Sequence, residues 1–197
     1  ELNLRDIQDT AKSILEEKLS ILDEMFFHVD KKGFFGGTNS VRLKAIQNGA
    51  DFVLSTDEIK KAYLQLTKQL KDAYVVAIGI LDENYKRKVL YYLAVRHFVQ
   101  KLLRGDIPPQ ISPVEINKHV EELLADAIKG DEVEILTKVE DTEQNRDIWD
   151  LLSEEKVEKI RQSQPPHVFI KIMERLLKEA VREYRGYNLV KAKEYSE

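Results

Sequence analysis

The sequence predicts an all-α protein, an irregular bundle of about seven to eight helices with one long acidic loop. Apolar residues recur at three- and four-residue spacing through nearly every segment and alternate with period two almost nowhere. Capping signatures, glycines and prolines punctuate these stretches at helix-like intervals. With 43% apolar and 34% charged residues, and only eight glycines and five prolines, a 197-residue chain has the composition to build a core.

The first helix is expected over about residues 3–28, with Leu4, Ile7, Ala11, Ile14, Leu15, Leu22, Met25 and Phe26 as its inward stripe. Gly33-Phe34-Phe35-Gly36-Gly37-Thr38-Asn39 reads as a packed structural turn, its glycines permitting positive backbone angles while the rings pin the loop to the core. A second helix covers about 40–54. Ser55-Thr56-Asp57-Glu58 has the S-x-x-E spacing of a capping box with Ser55 as the cap. The helix it opens reaches about residue 80, with Ile59, Ala62, Tyr63, Leu66, Leu70, Ala73, Ala77 and Ile80 inward. The next, over 83–104, is apolar around most of its circumference and is expected at the centre.

Pro108 and Pro109 cannot continue a helix and mark the division between an N-terminal part, 1–107, and a C-terminal part, 108–197, of one contiguous domain. Ser112-Pro113-Val114-Glu115 places a serine cap before proline at the first helical position. That helix carries Ile116, Val120, Leu123, Leu124, Ala127 and Ile128 and meets Gly130. Over 131–147 the periodicity fails, which predicts the acidic loop, with Val133-Glu134-Ile135-Leu136 a short extended piece. Ser153 caps a short helix that Pro165 and Pro166 terminate. The stripe Phe169, Ile172, Met173, Leu176, Leu177, Ala180, Val181 and Tyr184 predicts a helix over 167–185, closed by Gly186, and Asn188 caps a last one.

The absence of cysteine removes disulfides, thiolate metal sites and cysteine nucleophiles together. No apolar run of about 18 residues could span a bilayer and no signal-peptide pattern opens the chain, so a cytoplasmic protein without membrane attachment is expected. Lys and Arg number 31 against 35 Asp and Glu, a net charge of −4, which argues against a surface built wholly to hold nucleic acid. The charge is uneven, because residues 115–158 carry fifteen acidic and five basic side chains.

No catalytic or metal-binding constellation emerges. The glycine-rich turn lacks the lysine of a phosphate loop and no strand precedes it. No two of His28, His97, His119 and His167 lie three or four residues apart, as ligands on one helix face would. His119, flanked by Glu115 and Glu122, reads as part of a solvated face. Neighbouring carboxylates such as Glu121 and Glu122 diverge by about 100° on a helix and do not converge on a substrate. Two charged surfaces remain as candidates. Lys171, Arg175, Lys178, Arg182, Arg185, Lys191 and Lys193 form a basic ridge interspersed with glutamates, able to meet DNA or an acidic partner. Glu121, Glu122 and Asp126 form an acidic surface suited to steering a partner into place.

The glycine–aromatic turn, the helix opening at Ser112, the Val133-Glu134-Ile135-Leu136 piece and the closing Asn188-Leu189-Val190-Lys191-Ala192-Lys193-Glu194-Tyr195-Ser196-Glu197 follow in an order that is similar to a known family. From about Leu15 onward the chain resembles the C-terminal helical region of the restriction (R) subunit of type I restriction–modification enzymes. The resemblance implies a fragment of a large enzyme that translocates DNA with ATP and magnesium and cleaves it, its nuclease and motor lobes lying upstream. It carries no catalytic, metal-binding or cofactor-binding residue onto this chain, so the fragment itself is expected to be non-enzymatic. The implied role is docking to the methyltransferase core, built from methyltransferase and specificity subunits, and to the motor. The alternative is a DNA-contacting helical module that guides the duplex to the motor.

Overall fold

Phe26 lies at the centre of the molecule, fully buried, with ring centroids 5.1 Å from Phe52, 5.3 Å from Tyr63 and 5.3 Å from Tyr92. Edge-on and tilted pairs of this kind add to the stabilisation already gained by removing large apolar surfaces from water. The computed structural model describes residues 3–104, 113–128 and 152–194, and side chains over 3–104, 118–127 and 152–183. Eight α-helices and no strand occur among the described residues: α1 (Leu4–Met25), α2 (Lys32–Gly36), α3 (Asn39–Val53), α4 (Asp57–Ala77), α5 (Glu83–Arg104), α6 (Pro113–Ile128), α7 (Glu154–Ser163) and α8 (Pro166–Glu194), with a 3₁₀ turn at Ile78–Ile80. The all-α multi-helix bundle expected from the periodicity is the observed fold. The expected acidic loop, its extended piece and the Ser112 cap lie outside the described residues.

α5 occupies the middle, packing against α1, α3, α4, α6 and α8. It buries Val89, Tyr91, Leu93, Val95, Phe98, Val99 and Leu102 on several sides, as its near-continuous apolar circumference demands. Buried polar groups on it hydrogen-bond to α4. The Arg96 guanidinium donates to the Leu64 carbonyl at 2.6 Å and to Thr67 Oγ1 at 3.2 Å, and the Tyr63 hydroxyl donates to the Tyr92 carbonyl at 2.7 Å. Each such bond prevents the loss of free energy that an unpaired buried group would bring.

Four expectations are corrected. On α1 the buried residues are Ala11, Leu15, Leu19 and Leu22, while Leu4, Ile7 and Ile14 are exposed. The helix carries two apolar faces, and a single stripe drawn through both mixes core with surface. The cap of α4 is Thr56, whose hydroxyl accepts the Ile59 amide at 3.1 Å; Ser55 instead donates to the Phe52 carbonyl at 2.6 Å and finishes α3. The glycine–aromatic segment is a single helical turn, α2, with Phe34 buried 5.2 Å from the Tyr91 ring. Its glycines serve close approach rather than positive φ, since a Cβ on Gly37 would stand 2.5 Å from the Gly33 carbonyl oxygen and 2.6 Å from Val41 Cγ1. Finally, α8 runs unbroken through Gly186 and Asn188 to Glu194. One helical glycine costs about 1 kcal/mol relative to alanine, too little to end a long, otherwise favourable helix.

Candidate functional site

The basic ridge begins on α8, where i,i+3 and i,i+4 spacing brings opposite charges onto one face. Lys171 Nζ lies 2.9 Å from Glu174 Oε2, and Arg175 Nε lies 2.8 Å from Glu179 Oε1. The Lys171 hydrogen bond holds the Glu174 carboxyl below its usual range. Lys178 and Arg182 are exposed. The side chains of Arg185, Lys191 and Lys193 fall outside the described residues.

On α6 the three acidic candidates divide. Glu121 and Glu122 are exposed, and Glu122 Oε1 lies 3.7 Å from Lys118 Nζ. Asp126 turns toward α5, 3.6 Å from Lys101 Nζ and 3.8 Å from His97 Nε2. Burial, reinforced by Lys101, Lys71 and Arg104 against the pull of Asp126, lowers the His97 imidazole to about 4. His119 is half-buried rather than part of a solvated face: burial and Lys101 lower its imidazole, Glu122 opposes them, and its Nε2 is enclosed without a hydrogen-bond partner. The α5–α6 contact therefore holds two neutral histidines at pH 7, each desolvated by the packing that joins the helices.

Among the described residues, the surface includes two clefts. One, of about 450 Å³, has His28, Asp30, Asn48, Asp51, Ser55 and His167 in its lining. Asp51 Oδ1 accepts the His167 amide at 2.7 Å, so this carboxylate is engaged at the start of α8 and ties that helix to α3. No group of three or more His, Asp or Glu side chains among the described residues is placed to hold a metal ion. The second cleft, of about 720 Å³, runs between α1 and α4. Ala11 and Ala73 form its floor, Ile7, Ile14 and Val76 its walls, and Glu17, Lys18 and Asp72 stand on its rim. Assigning Ile7 and Ile14 to the core concealed this surface.

These surfaces belong to a helical bundle that offers charged ridges and an apolar cleft. The family model described as "Type I restriction enzyme HindI endonuclease subunit-like, C-terminal" matches residues 3–197, and the chain belongs to that family. The match extends to nearly the whole chain the resemblance noted in its motifs. No curated protein and no solved structure matches it. Among the described residues, no helix is long and apolar enough to cross a membrane.

Proposed function

We propose that the chain is a non-catalytic docking module of a type I restriction endonuclease subunit, working in the cytoplasm. It joins the subunit that carries it to the methyltransferase and specificity subunits and bears against the DNA-translocating motor, which uses ATP and magnesium. The single observation that carries this reading is the family match over residues 3–197, because a subunit's C-terminal region functions within a multi-subunit enzyme. The apolar row exposed on α1 supports it, since exposed aliphatic surface beside a cleft favours protein contact.

The test is association of the chain with the cognate methyltransferase–specificity complex, followed by interferometry. Saturable binding in the micromolar range or tighter is the expected result; absence of binding at tens of micromolar contradicts it. A second reading, direct contact with DNA, draws on the exposed Lys178 and Arg182 of α8. Glutamates neutralise Lys171 and Arg175 beside them, which weakens that ridge as a track for phosphates.

A further inference from the structure

The face of α1 turned away from the core carries Ile7, Ile14 and Ile21, exposed by 44%, 41% and 38%. Their seven-residue spacing aligns them along one side of the helix, with Thr10, Glu17 and Glu24 at the i+3 positions. From the first to the last is fourteen residues, about 21 Å of helix at 1.5 Å per residue, or roughly four turns. Across the cleft stands Val76 of α4, and between the two helices the small side chains of Ala11 and Ala73 leave a trough of about 720 Å³. Small residues on the floor and branched aliphatics on the walls let a third helix approach closely and seat large side chains between the walls.

The rim decides what kind of helix fits. Glu17 and Asp72 line the cleft, and Glu24 follows Glu17 by seven residues on the flank of Ile21. The cation among the lining residues, Lys18, donates to Glu17 Oε1 at 2.8 Å, so these two charges offset each other, and the net negative charge of the border comes from Asp72, with Glu24 beyond the lining. A second copy of this chain would set that acidic border against itself, whereas lysine or arginine flanks would complement it.

We propose that the α1–α4 cleft is a helix-docking groove for one amphipathic helix of a partner subunit, with an aliphatic stripe at heptad spacing and basic flanks. This rests on the docking reading above and gives it a location and a chemistry.

The probe is a synthetic helical peptide of about fifteen residues, with leucine at the two seam positions of each heptad and lysine on the flanks, titrated by fluorescence anisotropy. A control peptide has glutamate in place of each lysine. The lysine peptide should bind saturably, the glutamate peptide at least tenfold more weakly, and Ile14→Asp or Ile7→Asp should each weaken the lysine peptide at least tenfold. Ile170→Asp, an exposed aliphatic on α8 outside the cleft, should leave binding unchanged. Circular dichroism establishes that each variant keeps the helical signal of the parent. Equal binding of both peptides, no binding of either, or indifference to Ile14→Asp overturns the proposal. Self-association that Ile14→Asp abolishes also overturns it, by making a second copy the occupant.

Ile14→Asp is then placed in the enzyme complex. If the unaltered chain associates with the methyltransferase–specificity complex and Ile14→Asp associates equally well, the groove proposal fails while the docking reading stands. If the unaltered chain does not associate, the docking reading fails, and the peptide titration still decides the groove.

Discussion

The Tyr92 hydroxyl donates to Asp23 Oδ1 at 2.6 Å, joining residues 69 positions apart, and Lys31 Nζ donates to both, at 2.6 Å to the carboxylate and 2.8 Å to the phenol oxygen. One carboxylate thereby clamps the end of α1, the turn before α2 and the middle of α5. Burial works against ionisation of Asp23, but the hydrogen bonds from Lys31 and Tyr92, with Lys88 nearby, outweigh it and hold the carboxyl below its usual range.

Tyr92→Phe removes the link while keeping the ring and its contact with Phe26. A loss of about 1–3 kcal/mol in urea unfolding is expected, the usual consequence of unpairing half-buried polar groups. Asp23→Asn should cost a similar amount, and the double variant should fall well short of the sum because both changes break the same network. Additive losses would show that the three groups do not act together.

The α2 turn separates its glycines by what surrounds them. Gly37→Ala drives a Cβ against the Gly33 carbonyl oxygen, a fixed backbone atom, and should lower stability by about 1–3 kcal/mol. A Cβ on Gly36 would meet no other group within 4 Å, so Gly36→Ala should be neutral or stabilise by up to about 1 kcal/mol through helix propensity. Thermal melts of the two variants check the ordering; equal effects would contradict the close packing of this turn.

The α5–α6 contact should make the fold sensitive to mild acid. An unfolded histidine takes up its proton near pH 6.5, whereas His97 in the fold does so only near 4. Between these values the unfolded chain binds more protons, so stability falls as the pH drops from about 6.5 toward 4, with a slope below the one-proton limit of about 1.4 kcal/mol per pH unit. His119, also lowered, adds in the same direction. Urea unfolding of His97→Gln across this range should show a flatter profile; an unchanged slope would mean that His97 does not titrate in this way.

How far the sequence reveals this molecule depends on whether a feature is local. The bounds of α5 are readable because it is apolar on most sides and bordered by charged ends, and the pairing of Lys171 and Arg175 with glutamates follows from spacing within one helix. The inward face of α1 is not readable, because both Leu15 and Ile14 fit an apolar stripe and only the position of α4 decides which is covered. The choice of Thr56 over Ser55 as cap turns on one residue of backbone register, where two hydroxyl residues compete. The attachment of Asp126 to Lys101 and His97 is tertiary, so charge patterning on α6 alone suggests a uniform acidic surface.

The two readings of α8 separate by salt. If the ridge meets DNA, binding to a duplex should weaken steeply as salt rises, and Lys178→Glu with Arg182→Glu should flatten that slope. The docking account predicts no measurable duplex binding at physiological ionic strength and no effect of this pair on association with the methyltransferase core. Filter binding at several salt concentrations reads the difference.

Competition in a reconstituted type I enzyme tests the docking role most directly. The chain, added in rising excess to cognate restriction, methyltransferase and specificity subunits, should occupy the position of the intact restriction subunit. DNA cleavage is then predicted to fall with concentration while methylation of the same DNA continues at its full rate. Cleavage that holds steady at a hundredfold excess of the chain would contradict the account.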